Sequence, residues 1–253
     1  MQLKIMTFNL RTSFAKGDGK NSFSERKPNI LSVITQHAPD LIGFQEVTDE
    51  MLRFLRESLS SEYEIISCGR EHDLHGEGVT VAYRRNGFTA LRYETFWLSP
   101  TPEIFGSTYG GDQSSCPRVT TYVVLKADGV SEPFVFANTH FDHKGEIAKL
   151  RSAEQMTSFF EKCSYPIFFT GDFNSQPDDA PILRLKEILT DLTEDVGGTF
   201  HNFGAQGYEP IKIDYIFTSI QEPLFHSELV TGGISDGVYP SDHYPVVSTV
   251  EYN

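Results

Sequence analysis

The chain has 253 residues, and its 35 acidic and 21 basic side chains give a net charge of −14 at pH 7. A hydrophobic fraction of 39%, with aromatic residues at 13%, is typical of a globular protein and excludes an intrinsically disordered one. The sequence has no basic run that would neutralise nucleic-acid phosphates non-specifically, and no window with the roughly 18 apolar residues of a membrane span.

The cysteines and the N-terminal segment bear on the cellular compartment. Cys68, Cys116 and Cys163 are odd in number, far apart and without a zinc-binding spacing, so we expect reduced thiols. Residues 1–6 lack the apolar stretch and the cleavage site of a signal peptide. We therefore expect a cytoplasmic protein that contacts no membrane and needs no obligate protein partner.

The predicted strands and helices are short and do not alternate regularly. In chain order, β-rich runs predict strands at 3–8, 41–44, 79–83, 89–97, 120–125, 134–138, 167–170, 213–218 and 246–250. Helical patterns occupy 25–37, 49–59, 146–162 and 180–189. Ser24 and Thr48, which stand before the first two helices, are the candidate N-caps.

The order of these elements favours one architecture. Two or three strands often follow one another without an intervening helix, which disfavours a Rossmann or TIM-barrel plan. Hairpin-rich strands with a few amphipathic helices favour two packed sheets with helices outside. We therefore predict an α/β fold in a single domain over residues 1–253, a four-layer sandwich of two mixed or antiparallel sheets flanked by helices.

Polar side chains stand at the ends of six apolar runs. They are Asn9, Glu46, the pair Asn138 and His140, the pair Asp172 and Asn174, Asp214, and the pair Asp242 and His243. A single Asp after a strand is usually a turn residue, but six ends that include Glu and His fit turns poorly. If the strands are neighbours, these side chains converge on one concave face.

The residue types indicate a chemistry. Carboxylate and carboxamide oxygens suit a hard ion such as Mg²⁺ or Mn²⁺, and no thiolate set for zinc is present. A histidine beside an aspartate suits an imidazole that is oriented and kept cationic, ready to stabilise a phosphorane-like transition state. The chain has neither a P-loop motif nor a Gly-x-Ser-x-Gly motif, which argues against nucleotide-driven motors and α/β-hydrolases.

Six short motifs in order resemble the endonuclease/exonuclease/phosphatase superfamily, which has the fold of pancreatic deoxyribonuclease. The first residues of the six motifs are Thr7-Phe8-Asn9, Gln45-Glu46-Val47, Asn138-Thr139-His140, Gly171-Asp172-Phe173-Asn174, Ile213-Asp214-Tyr215 and Ser241-Asp242-His243. The segments at 95–103 and 117–121 look like a bacterial branch whose nearest relatives are deadenylase-like and nocturnin-like proteins.

The resemblance implies a role for each matching residue. Glu46 is the principal metal ligand, with Asn9 and Asp242 completing the shell directly or through water. Asp214 holds His243, which contacts the scissile phosphate. Asp172 orients or deprotonates the attacking water, Asn174 holds a non-bridging oxygen, and His140 contacts the phosphate or the leaving group.

Glu77, Arg118 and Arg11 are further candidates, and the first two have two interpretations each. In the nuclease branch a Glu at the place of Glu77 supports the second histidine, and the alternative is an exposed loop residue. Arg118 either binds phosphate, for which its planar donor fork is suited, or forms an ion pair on the rim. Arg11, two residues after Asn9, stands where some members carry an acid, which argues against a second metal ion.

The histidines His37, His72, His75, His201 and His226 are interpreted as structural or surface residues, and of these only His201 lies in a loop that could reach substrate.

The predicted function is a metal-dependent phosphoric ester hydrolase that acts by in-line attack of water. The first-choice substrate is a phosphodiester in nucleic acid, with single-stranded nucleic acid as a candidate partner, cut by a 3′–5′ exonuclease or a weakly selective endonuclease. The alternative is a soluble metabolite, such as a nucleotide or a sugar phosphate, which the strong acidity of the chain favours. A sphingomyelinase-like enzyme would need exposed apolar loops, and an inactive binding module would tolerate loss of His243, Asp214 or Glu46, all of which are present.

Overall fold

Two six-stranded sheets organise the chain in the computed structural model, which describes residues 1–252. The strands of the first sheet are β1 (Gln2–Asn9), β2 (Leu41–Val47), β3 (Tyr63–Gly69), β4 (Gly78–Arg84), β11 (Phe225–Leu229) and β12 (Val246–Glu251), in the spatial order β11-β12-β1-β2-β4-β3. Those of the second are β5 (Phe88–Trp97), β6 (Val119–Ala127), β7 (Phe134–His140), β8 (Ile167–Asp172), β9 (Thr190–Asp191) and β10 (Asp214–Thr218), in the order β5-β6-β7-β8-β10-β9.

Each sheet contains one parallel pair of strands, and its other pairs are antiparallel. β1 runs parallel to β2, and β7 runs parallel to β8. A helix connects the members of each pair, because parallel neighbours need a crossover connection. Residues 1–252 contain four α-helices, namely α1 (Phe23–His37), α2 (Asp49–Leu59), α3 (Glu146–Phe160) and α4 (Ala180–Lys186).

Three apolar clusters define four layers. The central cluster joins the inner faces of the two sheets, for example Ile5 and Val81 of the first with Phe136 and Phe168 of the second. A second cluster packs α1 and α2 against the outer face of the first sheet, and a third packs α3 and α4 against the outer face of the second. The predicted α/β sandwich with outer helices is therefore confirmed.

Differences from the predicted elements are confined to edges and ends. The strands β3, β9 and β11 were not predicted; β3 and β11 are half-exposed edge strands, β11 carries few apolar residues, and β9 has only two residues. The expected ends of α3 at residue 162 and of α4 at residue 189 are too late, since both helices finish in a turn. None of the helices within residues 1–252 has the length and apolar character needed to cross a membrane.

One of the two expected N-caps is wrong. Helix α1 begins at Phe23, so Ser24 lies in its first turn and Ser22 takes the cap position, without a side-chain hydrogen bond to the helix. Thr48 does cap α2, because its hydroxyl accepts a hydrogen bond from the Met51 amide at 3.4 Å. The three cysteines are free, as expected.

Candidate active site

One cavity of about 420 Å³ lies at the edge where the parallel pairs end. Eight of the ten residues singled out in the sequence line it, namely Glu46, Glu77, Arg118, His140, Asp172, Asn174, Asp242 and His243. Asn9 and Asp214 stand directly behind the lining, hydrogen-bonded to Glu46 and to His243. The structure therefore brings together all ten residues, whose chemical roles stay predictions.

Sheet register explains the convergence. His140 and Asp172 end neighbouring parallel strands and face each other in register. Asp214 begins β10, which is antiparallel to β8, and is paired with Asp172. Asp242 and His243 precede β12, which is antiparallel to β1, so the start of β12 lies at the edge where β1 ends in Asn9. Strand ends and strand starts thus meet at one edge.

Glu46 reaches the cavity through a break in its own strand. The pairing of β2 with β4 shifts between Phe44 and Val47, and Glu46 adopts a left-handed backbone with φ of 62°. A bulge with a positive φ at a non-glycine residue is strained, and such strain concentrates at functional sites. The carboxylate is fixed by two donors, the Asn9 side-chain amide at 3.1 Å and the Thr12 backbone amide at 2.7 Å.

Asn138 of the opposite sheet supports this bulge. Its side-chain amide donates to the backbone carbonyls of Phe44, at 2.8 Å, and Thr80, at 2.9 Å, which flank the break. The Asn138 oxygen accepts from the Gln45 side chain at 2.7 Å. Gly43 permits the close approach of the sheets, because a Cβ there would lie 2.6 Å from that oxygen. The bulge is therefore held from the neighbouring sheet.

His243 and Asp214 form the buried pair that the sequence suggested. Nδ1 of His243 lies 2.9 Å from Oδ2 of Asp214, and that carboxylate also accepts from the Thr199 hydroxyl at 2.5 Å. Burial by itself lowers the pKa of His243, but the neighbouring carboxylates, Asp214 first, outweigh it and raise that pKa to about 10. The imidazole is consequently protonated at neutral pH.

Asp172 lies on the floor of the cavity between the two histidines. Its Oδ2 is 3.6 Å from Nε2 of His140 and 3.8 Å from Nε2 of His243. Burial, together with the charge of Asp214, raises the pKa of Asp172 to about 7, near the value that suits a general base at neutral pH.

His140 and Asn174 form a neutral pair beside Asp172. Nε2 of His140 lies 3.0 Å from the Asn174 side-chain nitrogen. Burial, reinforced by the positive charges of Arg118 and Arg70, lowers the pKa of His140 well below its ordinary value. Asn174 is a third cavity residue, with Arg11 and Glu46, whose backbone φ is positive. Because an amide nitrogen only donates, Nε2 of His140 accepts from Asn174, whose second N–H donates to the Phe141 carbonyl at 3.1 Å, and the pair fixes a neutral imidazole at the cavity wall.

The opposite wall of the cavity is cationic. Arg70 pairs with Glu77 at 2.8 Å, and Glu77 is half-buried, so the interpretation of Glu77 as an exposed loop residue is wrong. Arg118 is only 3% exposed, which excludes an ion pair on the rim. Its Nε lies 3.4 Å from Asp142, and its Nη2 donates to Nδ1 of His143 at 2.8 Å.

Sequence reasoning missed Arg70 and His143 on this wall. Neither belongs to one of the six motifs, although His143 follows His140 by three residues, a spacing that could have drawn attention to it. Arg11, noted only as a departure, also lines the cavity and lies 3.5 Å from Asp242. His201 does not reach the cavity: it is buried and stacks on Tyr244 with ring centroids 3.8 Å apart.

The donor set fits a divalent cation. Glu46 and Asp242 face the cavity with oxygen atoms, the ligands that Mg²⁺ and Mn²⁺ prefer. Burial, with the negative charge of Glu46, raises the pKa of Asp242, which indicates carboxylate charge that a bound cation would offset. Asp172, Asp214 and His243 also place three potential ligand atoms within 4.8 Å of one another. This second group fits a metal less well, because Asp214 already holds a protonated His243.

The fold and the site define a phosphoester-hydrolase type of enzyme. The chain belongs to the Endonuclease/Exonuclease/phosphatase family, whose sequence model matches residues 6–243. This membership confirms the predicted superfamily and the predicted class, a hydrolase of phosphate esters.

Individual relatives agree with this class. The mannosyl-6-phosphatase Bt3783 of Bacteroides thetaiotaomicron VPI-5482 superimposes with a TM-score of 0.86 and 28% identity, over 99% of this chain and 100% of that one. The human nocturnin catalytic domain has a TM-score of 0.75 at 18% identity, covering 100% and 94% of the two chains, which shows the fold alone. The probable RNA exonuclease NGL3 of Saccharomyces cerevisiae is 22% identical over 206 residues, 73% of this chain and 40% of that protein. The chain thus spans about two fifths of that relative's length.

Proposed function

We propose that the chain hydrolyses a phosphate ester with Mg²⁺ or Mn²⁺, by in-line attack of water and without a covalent enzyme intermediate. The observation that carries this proposal is the buried Asp214–His243 pair, whose free Nε2 lies 3.8 Å from Asp172. A cationic imidazole and a carboxylate with a pKa of about 7 then act on the same phosphate from adjacent positions.

Glu46 and Asp242 would hold the ion directly. Asn9 would orient Glu46, because its amide nitrogen donates to Glu46 and its oxygen accepts from the Arg11 backbone amide at 2.9 Å. When bound, the ion offsets negative charge on the phosphate and on the leaving oxygen.

Asp172 positions the attacking water and takes its proton. The water oxygen forms a new bond to phosphorus while the bond from phosphorus to the ester oxygen breaks. The leaving oxygen takes up a proton from solvent, and Asp172 returns its proton to solvent, so that the site is restored. His243, as imidazolium, donates to a non-bridging oxygen, where charge increases in the transition state, and His140, which Asn174 holds in place, lines the same cavity.

Two substrate classes fit this chemistry. The motifs and the printed activity of the yeast relative favour a phosphodiester in nucleic acid, with single-stranded RNA or DNA as the first test case. The net charge of −14 and a cavity of about 420 Å³, a size typical of small-molecule sites, favour a soluble phosphate ester, in agreement with the printed activity of the Bacteroides neighbour. We favour the soluble ester, because a long polyanion approaching an acidic surface gains no counter-ion release.

A substrate panel with Mg²⁺ and with Mn²⁺ tests the proposal. It contains single-stranded RNA and DNA, NADP, sugar phosphates and a chromogenic diester, and it is run on the wild type beside His243→Ala as the control for contaminating hydrolases. We expect metal-dependent release from at least one substrate and its loss in the variant. Hydrolysis that persists with a chelator or in His243→Ala would contradict the proposed function.

A further inference from the structure

The cationic wall of the cavity carries two guanidinium nitrogens that make no hydrogen bond within residues 1–252, although the Glu71 carboxylate lies 3.6 Å from Nε of Arg70. Among the described residues, Nε of Arg70 and Nη1 of Arg118 are both buried and have no hydrogen-bond partner. Both arginines line the main cavity and also the small recess beside it, together with Glu46, Glu77 and His140. Buried polar groups are almost always paired, so two unpaired guanidinium nitrogens on one wall point to a ligand.

The charge of Arg118 is poorly compensated by the protein. Its one carboxylate contact, Asp142, is 3.4 Å away. That carboxylate is used mainly by its own surroundings, since its Oδ1 accepts from the backbone amides of Ser114, Lys144 and Gly145. A buried guanidinium that shares its counter-ion with other donors is costly in free energy, and a bound anion offsets that cost.

The wall is rigid before any ligand binds. The indole N–H of Trp97 donates to the Arg70 carbonyl at 2.7 Å, and the Leu98 amide donates to the Arg118 carbonyl at 2.7 Å. Because a guanidinium only donates, His143 must accept from Arg118 at Nδ1, which leaves its remaining ring proton on Nε2. Preorganised donors of this kind lose little entropy when an anion binds.

The size of the recess limits which chemical groups can reach these donors. Its walls include Gly78, Val79, Pro117 and Val119, and its volume is about 10 Å³. This space is no larger than a single water molecule. It therefore admits an unsubstituted oxygen of a phosphate but not a carbon chain.

We propose that Arg70 and Arg118 bind a third non-bridging oxygen of the phosphate, so that the site selects phosphomonoesters over phosphodiesters. This inference rests on the proposed function, in which His243 donates to one non-bridging oxygen and an ion held by Glu46 and Asp242 would offset charge on the phosphate. A monoester has three non-bridging oxygens and a second negative charge, whereas a diester has two oxygens and one charge. The two arginines are therefore specificity-determining residues for a terminal phosphate.

Kinetics on two esters with the same leaving group test the selectivity. The probes are 4-nitrophenyl phosphate and bis(4-nitrophenyl) phosphate, and the readout is kcat/KM for each with Mn²⁺. The wild type should prefer the monoester, and Arg118→Gln should lower monoester kcat/KM by roughly 10² to 10³. The factor by which Arg118→Gln lowers kcat/KM on the diester should be at least about ten times smaller, and Arg118→Lys should restore part of the monoester kcat/KM. Arg84→Gln, at the far end of β4 and paired with Glu62 on the surface, is the matched control.

A binding measurement covers the case in which Arg118→Gln does not fold. Arg70→Gln alters the less buried arginine, and calorimetry with inorganic phosphate in the presence of a chelator should show an affinity roughly tenfold below that of the wild type. A wild type that prefers the diester, equal losses on both esters, or unchanged phosphate affinity would each overturn the selectivity proposal alone. A wild type that hydrolyses neither ester, nor any substrate of the panel, would overturn the proposed function with it.

Discussion

The parallel pairs β1–β2 and β7–β8 have the same architecture, but they carry different functional side chains at their ends. Each pair is joined by a connection that contains a fifteen-residue helix on the outer face of its sheet, and both pairs end at the same edge of the sandwich. The first pair ends in Asn9 and Glu46, and the second ends in His140 and Asp172. One scaffold thus carries the candidate ion ligand on one sheet and the candidate base and neutral imidazole on the other.

The difference between the pairs lies in how the side chains reach the cavity. The second pair keeps its register through its last residues, so His140 and Asp172 stay buried in a regular ladder. The first pair is interrupted beside Phe44, and the resulting bulge brings Glu46 forward into a half-buried position. Burial raises the pKa of Asp172, as a base requires, whereas exposure keeps Glu46 available to a cation.

The largest expected effect comes from removing the negative charge of Glu46 in the first pair of strands. Glu46→Gln should abolish Mn²⁺ binding at the site, measured by calorimetry, because an amide attracts a hard cation far less than a carboxylate does. Turnover should fall by roughly 10⁴, which corresponds to the several kcal/mol that a catalytic ion contributes. Glu57→Gln, on the exposed face of α2, is the matched control. Unchanged ion affinity in Glu46→Gln would remove Glu46 from the ion site.

The pH dependence tests the Asp214–His243 pair opposite the second pair of strands. Activity that needs the imidazolium should fall as pH rises through about 10, the raised pKa of His243. His243→Ala should lower turnover by roughly 10³.

Asp214→Asn separates charge from shape in the same pair. The amide keeps the contact but removes the negative charge that raises the pKa of His243, so the alkaline limb should move to lower pH. Rates measured across pH 5 to 11 would show this displacement. A profile that keeps its limb while substrate affinity changes would assign the pair to binding.

The smallest expected effect concerns the link between the two sheets. Asn138→Ala leaves the buried carbonyls of Phe44 and Thr80 without their donor, and each unsatisfied group costs about 1 to 3 kcal/mol. We expect the free energy of unfolding, measured with urea, to be roughly 3 kcal/mol lower than that of the wild type. Mn²⁺ binding should also be weaker, because the bulge at Glu46 loses support. The exposed turn residue Asn86 provides the control Asn86→Ala. Equal stability of the two variants would show that the bulge is held by its own sheet.

Local sequence determined a large part of this protein. Apolar runs flanked by polar residues indicated most of the strands, and ten residues chosen from those flanks and from two neighbouring segments all lie in or directly behind one cavity. Edge strands such as β11 escaped prediction because a half-exposed strand needs few apolar residues. The wrong cap at Ser24 reflects the ambiguity of two nearby serines, Ser22 and Ser24.

Tertiary structure alone decided the bulge and the cationic wall. The contact from Gln45 to Asn138 spans 93 residues, and the one from Asn9 to Asp172 spans 163, so no local pattern could specify them. Arg70 lies outside every motif and becomes part of the site only because β3 and β4 carry the segment after β3 to the edge where Arg118 stands. The pKa values of Asp172 and His243 depend on burial by both sheets and on charges from distant strands, since desolvation and Coulomb interactions follow distance in space rather than distance along the chain.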